Sequence, residues 1–178
     1  KKNKVEVFRG SENDLVDRFY QAVKGKNFKH ILRLPADNPL PDAKEYDRLV
    51  EYHLKNNNDF SSNICNFMGN GYPDGIGAEM FDFSLLEKVW QKESDSQKRE
   101  HVHLNFYNYD LDEPVDIKFC PVTTIECPEE YRRPEIVLDV NTNDQYKFIK
   151  EIYEYFYKSN PFFGIKDIIT WYDNVYKK

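Results

Sequence analysis

Short strand-like segments alternate with longer segments of helical periodicity, and this alternation constrains the fold of the 178-residue chain more than any other feature. Apolar or alternating patterns predict strands at residues 5–8, 30–34, 59–64, 79–83, 115–122 and 134–140. Helical spacing and capping residues predict helices that begin near Ser11, Asp42, Ser84, Arg99, Thr142 and Ile165. Strands that alternate with helices are typical of an α/β sandwich.

The chain reads as a single domain over residues 1–178, because no internal repeat, low-complexity tract or linker interrupts it. Residues 99–133 break the alternation of strands and helices. We therefore expect this segment to protrude from the domain or to form a homodimer contact.

Charge and cysteine content exclude several classes of protein. The net charge is −6 and no block of Lys or Arg stands out, so we expect no nucleic-acid partner. No apolar segment approaches the length of about 18 residues that a membrane span needs, and no signal peptide is apparent. Three cysteines without a CxxC pair indicate reduced thiols in a cytoplasmic protein: Cys65, Cys120 and Cys127.

Two polar segments follow predicted strands at the edge where α/β proteins bind ligands. Asp37 comes after the strand at 30–34, and Asp139 and Asn141 close the strand at 134–140. Oxygen ligands from separate strands suit Mg²⁺, and the spacing therefore suggests a magnesium site. The alternative, which the spacing leaves open, is that Asp37 is a turn residue and Asp139 caps the next helix.

Two further segments carry groups suited to polar ligands. The loop at residues 72–79 offers hydrogen-bonding side chains of the kind that sugars need, and its two glycines permit close backbone approach to a ligand; an ordinary turn is the alternative. The segment REHVH at residues 99–103 is suited to a phosphate or carboxylate, or to a salt-bridged helix end. A zinc site at its two histidines is disfavoured because no third ligand lies nearby in the sequence.

Several segments resemble, in order and approximate spacing, the motifs of one family. Residues 9–22 (RGSENDLVDRFYQA) resemble "RGSExDVLDRYYQA", and residues 32–40 (LRLPADNPL) resemble "RLTADCPLID". Residues 72–81 (YPDGIGAEMF) resemble "YPDGLDVEVF", and residues 99–102 match "REHV". Residues 138–142 (LDVNT) fall where the family has "TVDTPED", and the tail around residues 160–169 also matches.

On these motifs the chain is identified as a member of the spore-coat-polysaccharide cytidylyltransferase-like family, which is similar to the enzymes that activate Kdo and sialic acids. The resemblance implies a Rossmann-like, glycosyltransferase-A-type α/β/α sandwich with a mostly parallel mixed sheet. It also implies that a sugar or sugar acid attacks the α-phosphorus of CTP, with Mg²⁺ as cofactor, to make a CMP-sugar for a surface glycan and release pyrophosphate.

The resemblance assigns roles to individual residues. It places Asp37 at the catalytic metal, with Asp139 and Asn141 as further metal ligands, and it places Asp17 and Arg18 near the nucleotide or its sugar partner, Arg18 as a catalytic group. The remaining implied substrate-binding residues are Tyr72, Asp74, Glu79, Arg99 and His101.

The chain departs from the family pattern in three ways. Asn141 stands where many members have Asp, and Gly77 replaces an acidic residue, which points to a different sugar. The family's N-terminal segment, with a Gly- and Arg-rich loop of the form "ARxxSxRLPxK" for the triphosphate and cytosine, has no counterpart here, so we expect a truncated chain that is inactive alone. The alternatives are a non-catalytic remnant or assembly module, and a glycosyltransferase that uses a nucleotide-sugar donor.

Overall fold

The structure is a computed structural model, and it describes residues 5–64, 67–108 and 110–177. Six α-helices occur in these ranges: α1 (Leu15–Val23), α2 (Ala43–Asn56), α3 (Phe83–Lys92), α4 (Ser96–Glu100), α5 (Asn143–Phe156) and α6 (Ile165–Trp171). The strands are β1 (His30–Arg33), β2 (Phe60–Ser62), β3 (Glu79–Asp82), β4 (Tyr107–Asn108), β5 (Glu113–Pro114) and β6 (Val122–Thr124).

The central sheet has four strands in the order β1-β3-β2-β6. Strand β3 is antiparallel to both β1 and β2, whereas β6 is parallel to β2. Three strands therefore run in one direction and β3 runs against them, which is the mostly parallel mixed sheet predicted from the sequence. Its carboxyl edge carries a row of paired polar residues from the four strands, in order Arg33, Glu79, Ser62 and Thr124.

Helices cover both faces of this sheet. Successive side chains of a strand point to opposite faces, so each strand contributes to both apolar layers. Phe81 packs in one apolar cluster with helices α1 and α3, and its neighbour Met80 packs in the other with α2, α5 and α6. The predicted α/β/α sandwich is confirmed.

Local capping explains where three of the helices begin. The Asp14 carboxylate accepts a hydrogen bond from the backbone N–H of Asp17, the Asp42 carboxylate does so at α2, and the Thr142 hydroxyl does so at α5. Each cap satisfies an N–H group that has no partner inside its helix. The helix starts predicted near Asp42 and Thr142 are confirmed, whereas the first helix, predicted to begin near Ser11, begins at Leu15 after the Asp14 cap.

Two of the predicted strands are wrong. Residues 5–8 form no strand, and Val5, Val7 and Phe8 are all exposed, so their alternation buries no face. In the predicted strand 115–122, Asp116 instead accepts hydrogen bonds from the N–H groups of a turn, and strand β6 begins only after Pro121. Proline has no N–H to donate to a sheet, which is why pairing starts beyond it.

Two other predicted elements are shorter than expected. In the predicted strand 134–140, Ile136 and Leu138 are buried as the alternation requires, but the segment pairs only through one parallel bridge between Val137 and Asp74. The predicted helix at 99–107 divides into the end of α4, a 3₁₀ turn at Val102–Asn105 and the start of β4.

The segment at residues 99–133 contributes to the core as well as to the surface. Strand β6 completes the main sheet, and Phe106 and Cys120 are buried beneath it, whereas the hairpin of β4 and β5 lies outside that sheet. Its predicted role as a dimer contact stays a prediction.

Two features bear on the cellular environment. Cys120 and Cys127 are buried free thiols whose pKa values burial raises to about 12, so they are unreactive, whereas Cys65 lies outside the described residues. Over the described ranges, every helix is too short or too polar to cross a lipid bilayer.

Candidate active site

Three loops meet beyond the carboxyl edge of the sheet: residues 35–41 after β1, residues 72–78 before β3, and residues 136–141. The Val140 N–H donates to the Asp37 backbone oxygen at 2.9 Å. Asp74 exchanges two backbone hydrogen bonds of 3.0 Å with the third loop, and the Asn38 amide donates to the Gly77 oxygen at 3.3 Å. These bonds fix the first and second loops against each other and against the third.

The convergence brings three carboxylates into one electrostatic cluster, which we call the acidic cluster: Asp37, Asp74 and Asp139. Burial raises the pKa of Asp139, and the negative charges of Asp74 and Asp37 raise it further. Asp37 is exposed and the other two are half-buried. Like charges held together at a ligand-binding edge are typical of a cation site rather than of a stabilising contact.

The polar groups of the next helix hold Asp139 in place. The Asn141 side-chain amide donates to one carboxylate oxygen of Asp139, and the Gln145 amide donates to the other at 3.0 Å. The Asn141 N–H in turn donates to the Gln145 side-chain oxygen at 2.8 Å. Asn141 therefore orients Asp139 through its amide nitrogen, which leaves its amide oxygen as the atom that suits a cation.

The glycines of the second loop permit backbone–backbone contact. Gly75 has a φ of +81°, and a Cβ there would lie 2.3 Å from the Leu138 carbonyl carbon. A Cβ on Gly77 would lie 2.3 Å from the Ile64 Cα. The expectation that these glycines leave space for a ligand is wrong, because protein backbone fills that space.

The acidic cluster fits a hard divalent cation by its chemistry, since its donor atoms are oxygens and their charges repel one another. Its three carboxylates are not gathered within 4.8 Å of one another, so they are more widely spaced than a full coordination shell. This spacing suits Mg²⁺, which keeps several waters and takes phosphate oxygens beside one or two carboxylates.

Tyr72 does not present its hydroxyl to a substrate. The side chain is completely buried, and the hydroxyl donates to the Glu45 carboxylate and accepts from Arg48 at 2.9 Å. Burial and the neighbouring Glu45 raise the pKa of Tyr72 well above its usual value. The predicted sugar contact is corrected to a structural role, because the hydroxyl is already satisfied inside the protein.

Glu79 is also completely buried, and both of its carboxylate oxygens face other side chains. One carboxylate oxygen pairs with Arg33 at 2.6 Å, and the other lies 3.7 Å from Nδ1 of His103. A direct Glu79–sugar contact is therefore not supported by its position. The sequence reasoning overlooked Arg33 because its partner is 46 residues away and no local motif joins them.

Asp17 and Arg18 lie on α1, away from the three loops of the acidic cluster. Asp17 accepts a hydrogen bond of 2.7 Å from the Trp90 indole N–H of α3 and another of 3.1 Å from Gln21. These bonds lower the pKa of Asp17. Asp17 thus joins two helices, and the half-buried Arg18 packs its side chain beside Gly10.

The two candidate residues of the REHV segment, Arg99 and His101, have different surroundings. Arg99 donates to the Asp14 carboxylate at 2.7 Å and to the backbone oxygens of Trp90 and Glu93, so it is a salt-bridged helix end. The anion site predicted at Arg99 is corrected accordingly, because the guanidinium already donates to three acceptors inside the protein. His101 is exposed, and its ring lies 5.9 Å from that of His103.

Comparison with known proteins identifies one matching family and one similar solved structure. The model of a family described as cytidylyltransferase matches residues 2–165. A solved structure of a cytidylyltransferase from Leptospira borgpetersenii superposes with a TM-score of 0.84 at 28% identity, over 99% of this chain and 69% of that chain.

Two curated relatives have similar sequences. One is an uncharacterised protein of Methanocaldococcus jannaschii, 36% identical over 95% of this chain and 63% of its own length. The other is the spore coat polysaccharide biosynthesis protein SpsF of Bacillus subtilis, 31% identical over 83% of this chain and 57% of its own length. The chain thus spans about three-fifths of the length of these two relatives.

Proposed function

This chain belongs to the cytidylyltransferase family, and on that premise we propose that the full-length protein transfers a cytidylyl group from CTP to a sugar or sugar acid. Pyrophosphate leaves, and the CMP-sugar serves the synthesis of a surface polysaccharide. The observation that supports this most is the acidic cluster of Asp37, Asp74 and Asp139 at the carboxyl edge of the sheet. The printed name of the Bacillus subtilis relative supports the polysaccharide context.

Asp37 and Asp139 would hold Mg²⁺, with the Asn141 amide oxygen beside them. When bound, the ion supplies positive charge that neutralises the triphosphate and the charge that develops on the departing pyrophosphate. Asp37 is exposed at the surface, so it is accessible to an ion that arrives with a nucleotide. Asp139 is held by the Gln145 and Asn141 amides, so its carboxylate is oriented before any ligand binds.

The remaining groups at this edge would position the sugar. The half-buried Arg33 and His103 lie over the buried Glu79, which fixes the position of the Arg33 guanidinium. A guanidinium at this place suits the carboxylate of a sugar acid or a hydroxyl of a neutral sugar. Asp74, a member of the acidic cluster, lies on the loop that leads into Glu79, so this loop connects the two groups.

The test measures pyrophosphate release by the full-length gene product with CTP, Mg²⁺ and a panel of neutral sugars and sugar acids. We expect turnover with at least one sugar, and CMP-sugar as the product by mass spectrometry. Asp37→Asn and Asp139→Asn should each lower kcat by at least about 100-fold, the loss typical of a removed electrostatic contact in a transition state.

Glu154→Gln, an exposed carboxylate of α5 that pairs with Lys150, is the matched control and should leave turnover unchanged. Near-wild-type turnover of Asp37→Asn would remove the acidic cluster from the mechanism. Formation of a glycoside from a nucleotide-sugar donor would instead identify a glycosyltransferase. No turnover across the full panel of sugars and nucleotides would favour a non-catalytic assembly module.

A further inference from the structure

A second cluster of chemically capable side chains lies at the amino ends of β1 and β2, opposite the acidic cluster. It consists of His30 on β1, His53 on α2 and Asp82 at the end of β3. Their ligand atoms all lie within 4.8 Å of one another, with 2.5 Å from His30 Nδ1 to Asp82 Oδ1 and 3.5 Å from His53 Nε2 to the same oxygen. The two imidazole rings stand perpendicular, with centroids 5.4 Å apart.

Each of these three atoms is buried, and apart from the contacts among themselves none has a hydrogen-bond partner among the described residues. His53 is completely buried, so water does not substitute for the missing partner of its Nε2 atom. Buried polar atoms are normally satisfied, and two imidazole nitrogens that face one carboxylate oxygen need a positive charge between them, either a proton or a metal ion.

The position of Asp82 is a second observation that supports a binding site at these three residues. It occupies the N-cap position of α3, where an Asp side chain usually accepts a hydrogen bond from the first turn of the helix. Here the side chain makes no such bond. The carboxylate is directed instead towards the two histidines, at the cost of the cap.

The hydrogen bonds behind His53 determine which of its nitrogens carries the proton. Thr123 donates its hydroxyl hydrogen to the Phe60 oxygen, so the contact of 2.9 Å between Ser61 and Thr123 requires Ser61 to donate. Ser61 then has no hydrogen left for the imidazole, and His53 Nδ1 must donate to Ser61 at 2.9 Å. In neutral His53 the Nε2 atom therefore carries a lone pair that faces the Asp82 carboxylate.

A lone pair that faces a carboxylate is unfavourable unless a cation lies between them. We propose that His30 Nδ1, His53 Nε2 and a carboxylate oxygen of Asp82 bind a transition-metal ion of the zinc class, which ties α2 to the edge of the sheet.

The ligand set distinguishes this site from the acidic cluster. Two imidazole nitrogens and one carboxylate oxygen suit Zn²⁺ or Co²⁺, whereas Mg²⁺ prefers oxygen ligands alone. Ser61 bonds to the far nitrogen of His53, the arrangement by which an outer partner orients a metal-binding histidine.

The experiment titrates the chelator-treated protein with ZnCl₂ in competition with a chromophoric chelator, and repeats it with MgCl₂. We expect one Zn²⁺ per chain, a higher melting temperature with Zn²⁺, and visible absorption bands of a four-coordinate site with Co²⁺. His30→Gln and Asp82→Asn should abolish the saturable binding. Ser61→Ala should weaken it by about 10–100-fold, as removal of an outer partner does.

His101→Gln is the matched histidine control, because His101 is exposed and remote in sequence from all three ligands. Asp144→Asn is the matched carboxylate control, since Asp144 is exposed on α5. Both should bind Zn²⁺ as the wild type does. Circular dichroism of each metal-free variant verifies folding. Absence of saturable Zn²⁺ binding, or equal binding by wild type and folded His30→Gln, would overturn the proposal in favour of an imidazolium–carboxylate ion pair.

Discussion

Tyr72 lies in a network of three polar side chains, of which Tyr72 and Glu45 are buried and Arg48 is exposed. Its hydroxyl donates to Glu45 and accepts from Arg48, and Arg48 also pairs directly with Glu45. Glu45 is almost completely buried, so its charge is tolerated only because both partners are present. The tyrosine of the YPDG motif therefore anchors the second loop of the site to helix α2.

Replacement of Tyr72 by Phe separates this structural role from substrate contact. We expect Tyr72→Phe to lower the free energy of unfolding by about 1–3 kcal/mol, because Glu45 loses a buried hydrogen bond. The KM for the sugar should stay close to that of the wild type. Guanidinium chloride unfolding measures the first quantity, and the exposed Tyr155→Phe serves as its control. Unchanged stability together with a raised KM would restore Tyr72 to the substrate site.

At the scale of elements, the second loop of the site is held by its contact with residues 136–140. The Gly75 Cα faces the backbone of Leu138 and Asp139, where a Cβ would lie 2.3–2.6 Å from backbone atoms. Backbone atoms cannot move aside as a flexible side chain does. A larger residue at position 75 would therefore displace Asp139 and with it the acidic cluster.

Gly75→Ala should therefore destabilise the protein by more than the about 1 kcal/mol that a positive φ alone costs. Gly25→Ala is the matched control, since Gly25 has a φ of +76° but no atom within 4 Å of the added Cβ. Thermal unfolding of both variants isolates the contribution of the backbone contact. Equal losses of stability in the two variants would show that the contact between the loops is not tight.

The helices and the segments bordering the site were the elements that local sequence could predict. The caps at Asp42 and Thr142 act within a few residues, so their signal is complete in the sequence. A strand needs a partner distant in the chain, and alternation alone does not supply one. Residues 134–140 illustrate this, because the alternating burial is present but only one bridge forms.

The candidate site was predictable only in part, for the same reason. Asp37 and Asp139 were located from the ends of strands, a rule that needs only the order of elements. The burial of Tyr72 and Glu79 depends on Arg48 and Arg33, whose contacts cross 24 and 46 residues. The group of His30, His53 and Asp82 is likewise assembled from three separate elements and has no motif.

At the scale of the whole molecule, ionisable groups with shifted pKa values join parts of the chain that are distant in sequence. Asp17 binds Trp90, and the pKa of Asp173 is lowered by its hydrogen bond to Arg133. The pKa of His103 is lowered by burial, against the opposing charge of Glu79; Arg33 and His101 lower it further. Acid should therefore weaken contacts on both faces of the sheet and at its edge.

Acid unfolding should accordingly proceed in two windows. Because the folded pKa values of His103 and of the buried His53 lie below their unfolded value of 6.5, the unfolded chain binds protons first, and stability falls as the pH drops below 6.5. Asp17 and Asp173 have lowered pKa values, so their contribution is present above 3.8 and is lost as the pH falls through their folded values; the raised pKa of Asp139 opposes them. Urea unfolding in the presence of a chelator, followed from about pH 8 to about pH 3, measures both windows. His103→Gln should reduce the slope of the upper window, to which His53 still contributes, and should leave the lower window unchanged. The exposed His101→Gln should leave the upper window largely in place. An upper window of the same slope in His103→Gln would show that burial of His103 does not contribute to it.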